Sequence, residues 1–182
     1  MSSGGLRIRV WDLVVRLFHW GLVLSFALAW LSANSWEALH ISAGYAAGGI
    51  ILVRFAWGWV GPPYARFTQF VRSPKATLGY LSAILHGSEV RYIGHNPAGG
   101  AMVVALIAAV GATAFTGWLL TTDALWGVSW AQHLHGLVAD GLLALVGLHV
   151  AGVALASFRH RENLVAAMLT GIKRSPEPGD IG

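Results

Sequence analysis

The chain has 182 residues, 55% of them hydrophobic and only 11% charged, well short of the roughly one quarter of charged residues usual in soluble domains. This excludes an ordinary soluble fold and describes a membrane protein with space for one domain. Cysteine is absent, which excludes disulfides, thiolate ligands, iron–sulfur clusters and covalent attachment through a C-x-x-C-H motif.

Residues 1–6 read as a mobile tail, and Leu6–Phe18 as an amphipathic approach with Arg7, Arg9, Asp12 and Arg16 among apolar neighbours. Four apolar runs follow, at Val14–Ala33, Leu39–Val60, Gly99–Thr121 and Ala131–Phe158, each long enough to cross a hydrocarbon layer about 30 Å thick. Helices satisfy their own backbone groups in lipid, so the expected fold is an all-α integral membrane protein, a four-helix transmembrane bundle forming one domain over residues 1–174. A signal peptide over residues 1–33 is disfavoured because its apolar run is too long.

Between the second and third runs, the loop Gly61–Ala98 contains Ser73-Pro74 ahead of KATLGYLSAIL, the pattern of an N-cap, a proline at the first helical position and a short surface helix. The third run has no histidine, only Gly111, Thr113, Thr116 and Gly117, and is expected to pack the bundle. Trp126 and Trp130 at one boundary, with Trp57 and Trp59 at the other, suit an aromatic belt. Arg159–Arg174 reads as an amphipathic surface helix, and residues 175–182, with Pro176 and Pro178, as a disordered tail.

The formal charge of +4 raises the question of nucleic acid, but all twelve basic residues fall on one side of the predicted membrane. The opposite turns, Asn34–Ala38 and Thr122–Trp130, hold no Lys or Arg and carry Glu37 and Asp123. The positive-inside rule then places both termini, the long loop and the surface helices in the cytoplasm. The basic balance is topological, with no nucleic-acid partner implied.

Four histidines lie within the spans. His135 and His149 are fourteen residues apart, which returns them to nearly the same helix face about 21 Å apart. His19 begins a span that starts inside and His149 lies late in a span that starts outside, whereas His40 and His135 both begin near the external side. Topology alone therefore pairs His19 with His149 and His40 with His135. Two imidazoles can fill both axial positions of a haem iron, leaving no open position and favouring electron transfer. His133 turns to roughly the opposite face from His149 and is a reserve ligand for the outer site. Gly44 and Gly48 follow His40 at four-residue steps, either to admit a flat ligand or to let helices approach closely. Arg54, fourteen residues after His40, either snorkels to the interface or pairs with a haem propionate.

RLFHW around His19, LHISAGY around His40, H-G-x12-H from His135 to His149, VRFAWG at Val53–Gly58 and GHNPAGG at Gly94–Gly100 carry a resemblance. Over residues 7–174 the sequence resembles the bacterial cytochrome b561 family and the related cytochrome b subunits of nickel-iron hydrogenases and formate dehydrogenases. The resemblance implies two b-type haems with the pairing above, in the bacterial inner membrane. It also implies a ubiquinone or menaquinone site near the cytoplasmic haem, with Asn96 bonding a quinone carbonyl and His95 exchanging a proton. A tight turn opening a helix explains His95-Asn96-Pro97 equally well. Hydrogenase-type relatives usually have a further span that this chain lacks.

The leading expectation is a cytochrome moving electrons between a periplasmic redox protein, such as a c-type cytochrome, and quinone. Superoxide:quinone oxidoreduction is an alternative, weakened by external loops without basic residues to attract the anion. A histidine-based transition-metal transporter using His133, His135 and His40 leaves His19 and His149 unexplained, and intramembrane histidines argue against a purely structural anchor. Both a homo- and a hetero-oligomer are compatible with the sequence.

Overall fold

The computed structural model describes residues 7–182, so the tail expected over residues 1–6 lies outside the described residues. The elements in order are β1 (Arg7–Arg9), α1 (Leu13–Ser32), α2 (Glu37–Val60), a 3-10 turn (Pro63–Ala65), α3 (Phe67–Phe70), α4 (Pro74–His86), α5 (Pro97–Leu120), α6 (Ser129–Arg159), α7 (Leu164–Thr170) and β2 (Ile172–Arg174). α1, α2, α5 and α6 are the helices long and apolar enough to cross a membrane. Their ends fall within two residues of the four predicted runs.

The chain divides into two compact units. The first comprises Leu17–Ala56 and Ala105–Gly147 and draws on all four long helices. Small residues set its helix spacing: a Cβ added at Gly48 would lie 3.3 Å from the Cβ of Ala114, and one at Gly21 would lie 3.0 Å from Ile50 Cδ1. Hydroxyls in this unit turn back on their own helices, with Ser32 Oγ donating to Leu28 O at 2.6 Å and Thr113 Oγ1 to Ala109 O at 2.8 Å. Such bonds satisfy a polar side chain where water is absent.

The second unit, described over residues 7–16, 57–104 and 148–182, is built from shorter pieces. Val10, Trp11, Val15, Ala65, Ile93 and Ala167 form its buried core. β1 and β2 pair antiparallel with Ile8 opposite Lys173. Asp12 Oδ1 caps α1 by accepting from the backbone N–H groups of Val14 and Val15 at 2.9 and 3.1 Å, so the approach segment is a strand and a cap rather than a longer helix. α4 follows the predicted pattern: Ser73 Oγ accepts from Ala76 N, Pro74 opens the helix, and Gly87 at φ 68° closes it.

Three expectations are corrected. The helix expected over Arg159–Arg174 is broken, because Arg161 takes φ 50°, Asn163 caps a new helix by accepting from Ala166 N, and Gly171 at φ 79° ends it before β2. Trp57 packs against the buried core, whereas Trp59, Trp126 and Trp130 are exposed as a belt requires. The C-terminal segment expected to be disordered is held: Ile93 N donates to Ile181 O at 2.8 Å, Ile181 N donates to Arg91 O at 3.0 Å, and Asp180 pairs with Arg91.

That last pair belongs to a buried ionic network. Arg91 also pairs with Glu162 at 2.9 Å, while Lys173 Nζ lies 3.4 Å from Glu162 and donates to Ile93 O at 2.9 Å. Burial pushes the Glu162 and Asp180 carboxyls upward, but the hydrogen bonds and charges around them, with Arg91 common to both, outweigh it and hold both below their ordinary values of 4.5 and 3.8. Removing the guanidinium takes the ion-pair partner from Asp180 and leaves Glu162 with Lys173 alone, so Arg91→Met is expected to cost about 3 kcal/mol at neutral pH, measured by thermal unfolding in detergent. Because both carboxyls are depressed on folding, their contribution is complete above those ordinary values and is lost as pH falls through the lower folded ones. Wild-type melting temperature should therefore drop in acid, and the drop should be smaller in Arg91→Met.

Candidate functional site

The first unit brings two of the predicted histidines together. His40, one turn into α2, and His135 on α6 have ring centroids 6.1 Å apart with their planes at 88°. Both are half-buried. His40 Nδ1 lies 2.8 Å from Ala29 O, and a carbonyl only accepts, so Nδ1 carries the proton and donates. His135 Nδ1 lies 2.9 Å from Thr116 Oγ1. The Thr116 hydroxyl proton has carbonyl acceptors in Ala112 at 2.9 Å and Thr113 at 3.1 Å, which leaves its oxygen to accept from His135. Both rings are thereby fixed in the tautomer whose Nε2 carries the free lone pair.

This is the arrangement by which a second partner orients a metal-binding imidazole. Metal–nitrogen distances of about 2 Å on each side, plus about 1.1 Å from nitrogen to ring centre, would set two axial imidazoles about 6 Å apart. The observed centroid separation and the donor set of two neutral imidazoles fit a six-coordinate haem iron.

Other residues support the pair or stand apart from it. A Cβ added at Gly117 would lie 3.0 Å from His135 Cε1, so the ring occupies the space a side chain would need. Thr116 and Gly117 therefore do more than pack the bundle; they precede His135 by nineteen and eighteen residues on a different helix, a separation that carries no signal in a single sequence. The two glycines after His40 separate in role: Gly48 lies against Ala114, whereas a Cβ at Gly44 would meet nothing within 4 Å. Arg54 on α2 is buried, 7% exposed. His19 on α1 is half-buried and stands edge-on to Trp20 at 5.1 Å. His133 is exposed, consistent with its place as a reserve ligand.

In the second unit, His149 is half-buried on α6. His95 lies between Trp11 and Phe70, with ring centroids 4.7 and 4.9 Å away. Asn96 Oδ1 accepts from Gly99 N at 2.7 Å, capping α5 just before Pro97. Tyr80 Oη donates to Val90 O at 3.3 Å, and its hydroxyl is pushed up to about 12 chiefly by burial, with Glu89 and Tyr92 adding to it. Among the described residues, no three His, Cys, Asp or Glu side chains gather as a metal site, so His133, His135 and His40 do not form the cluster a transition-metal transporter would use.

Comparison with known families now decides the class. The family model for prokaryotic cytochrome b561 matches residues 10–171. The chain belongs to the prokaryotic cytochrome b561 family. It is a multi-pass membrane protein and an electron-transfer cytochrome with b-type haem. Comparisons with curated proteins and with solved structures give no match.

The cap at Asn96 yields a test independent of redox chemistry. Asn96→Ala should lower stability by about 1 kcal/mol, and Asn96→Asp or Asn96→Ser, which keep an acceptor oxygen, should recover most of it. Thermal unfolding in detergent measures both.

Proposed function

We propose that this cytochrome carries two b-type haems and moves electrons between a redox protein on the external face of the bacterial inner membrane and the quinone pool. The observation that carries this reading is the His40 and His135 pair, with both Nδ1 atoms already bonded and 6.1 Å between ring centroids. Haem, when bound, supplies a one-electron iron couple. His40 and His135 would hold it through Nε2 at the outer site, while Ala29 O and Thr116 Oγ1 hold the rings in orientation. The open space beside Gly44 leaves room for a flat ring.

His19 and His149 are the proposed ligands of the second haem, on the strength of the fourteen-residue spacing to His135 and the charge placement. Arg54 is proposed to meet a propionate, on the strength of its place fourteen residues after His40. Two imidazoles on each iron would leave no position for oxygen, so such sites would only relay electrons.

Ubiquinone or menaquinone is the proposed membrane substrate, at His95 and Asn96. Asn96 Oδ1 is occupied by the Gly99 N–H, so its amide NH2 is the group that would bond a quinone carbonyl, and His95 is the candidate to hand over a proton. The partner on the other face is a soluble donor or acceptor such as a c-type cytochrome. Both termini and the long loop are proposed to face the cytoplasm, following the basic residues.

A dithionite-reduced minus oxidised spectrum of the purified protein, with a haem-to-protein ratio, should show an α-band and two haems per chain. No α-band would sink the reading. His40→Ala and His135→Ala should each remove the same haem, and His19→Ala and His149→Ala the other, while His133→Ala keeps both. Thr116→Val should retain the outer haem but raise its midpoint potential, because an imidazole without an acceptor at Nδ1 donates less electron density to iron. Thr116→Ser should restore the wild-type value in a redox titration.

A further inference from the structure

The outer surface of α4 divides into two sectors of opposite character. Its inner side carries the buried Tyr80, with Thr77, Ala83 and Ile84 half-buried around it. Leu81, Leu85 and Leu78 lie about 100°, 140° and 160° round the helix from Tyr80, whereas Ser82, Lys75 and His86 lie at about 200°, 220° and 240°. All six are exposed, Leu85 to 84%. A helix wholly in water gains nothing from an outer sector of leucines, and one wholly in lipid has no place for Lys75 and His86.

The height of α4 is set by the end of a span. Arg159, the last residue of α6, donates through Nη1 to Ile84 O at 2.6 Å and to Glu89 Oε1 at 2.7 Å. These bonds tie the C-terminal turn of α4 to the point where α6 ends, within one compact unit. Phe158, the residue before, is 84% exposed, and Leu155 is exposed one turn earlier. The lipid-facing surface of α6 therefore continues to the level of α4.

Charge agrees with this placement. Residues 61–88 hold Arg66, Arg72 and Lys75 and no Asp or Glu, and both Arg72 and Lys75 are exposed at the start of α4. Basic residues beside an amphipathic helix favour lipids with anionic headgroups.

We propose that α4 is seated in the bilayer interface, with Leu78, Leu81 and Leu85 among the acyl chains of anionic phospholipids whose headgroups meet Arg72 and Lys75. A second copy of this chain is a poor occupant of this face, because it would bring two sets of Arg72 and Lys75 together with no carboxylate in residues 61–88 to meet them. The seat also reaches inward. Tyr80 bonds Val90 O and stands edge-on to Tyr92 at 5.6 Å, so the lipid-held helix steadies the segment that leads into His95.

The chain has no cysteine, so a single introduced one carries a spin label at a known place. Leu78→Cys, Leu81→Cys and Leu85→Cys report on the apolar sector, and Ser82→Cys and His86→Cys on the polar one. Each full-length variant is placed in nanodiscs of phosphatidylcholine and phosphatidylglycerol, with helical circular dichroism checking that it folds. Labels at the three leucine positions should collide with oxygen, which concentrates in lipid, and be shielded several-fold from a water-soluble nickel chelate relative to the other two. Equal exposure to the chelate all round the helix would overturn the proposal by placing α4 in water. Leucine-sector labels shielded from oxygen as well would also overturn it, by putting protein over this face. Spin-labelled phosphatidylglycerol should be enriched over phosphatidylcholine beside the unlabelled protein, and Arg72→Gln with Lys75→Gln should lower that enrichment. An unchanged enrichment would overturn the choice of anionic lipid. These readouts compare positions on one helix and need neither haem nor quinone, so this test and that of the electron-transfer reading fail separately.

Discussion

A ring N–H inside a hydrocarbon layer has no water to bond, and the first unit is arranged around meeting that need. His40 gives its Nδ1 proton to the carbonyl of Ala29, and His135 gives its own to Thr116. Each donation has two consequences. It removes the cost of an unsatisfied donor, and it leaves Nε2 as the only nitrogen able to bind iron. The same contacts that make the histidines tolerable in the membrane thus leave each ring with one nitrogen free to accept.

The two acceptors are unlike, and the difference matters for tuning. A backbone carbonyl is fixed by the helix that carries it and cannot be altered by substitution without disturbing α1. A threonine hydroxyl is a weaker acceptor, and its strength depends on where its own proton goes, here to Ala112 O or Thr113 O. Sequence change therefore has a handle on one ligand of the pair and almost none on the other. Gly117 adds a steric condition, since the His135 ring lies where its side chain would be.

The spans were legible because a membrane helix must be long, apolar and uninterrupted, and those are properties of composition in a window. The pairing of His40 with His135 was also legible, since charge placement and span direction order residues by depth. What sequence withheld depends on contacts between distant segments. Nothing in Thr116 says that its hydroxyl meets a histidine nineteen residues later. At the chain's end the composition of residues 175–182 suggested disorder, but Asp180 and Ile181 find partners at Arg91 and Ile93, and no local pattern encodes a partner nearly ninety residues away. The helix expected after residue 159 is interrupted for a local reason: Asn163 and Gly171 are good cap and stop residues, and they override the apolar periodicity that runs through them.

The ionic cluster of the second unit obeys the same rule as the paired histidines of the first. A polar group is kept out of water where the chain itself supplies its partners: oxygen acceptors for the ring N–H groups of His40 and His135, and opposite charges in Arg91, Glu162, Lys173 and Asp180, which supply one another. In each case the partner comes from a distant segment, so satisfying the polar group also ties together parts of the chain that apolar packing alone would not hold in register.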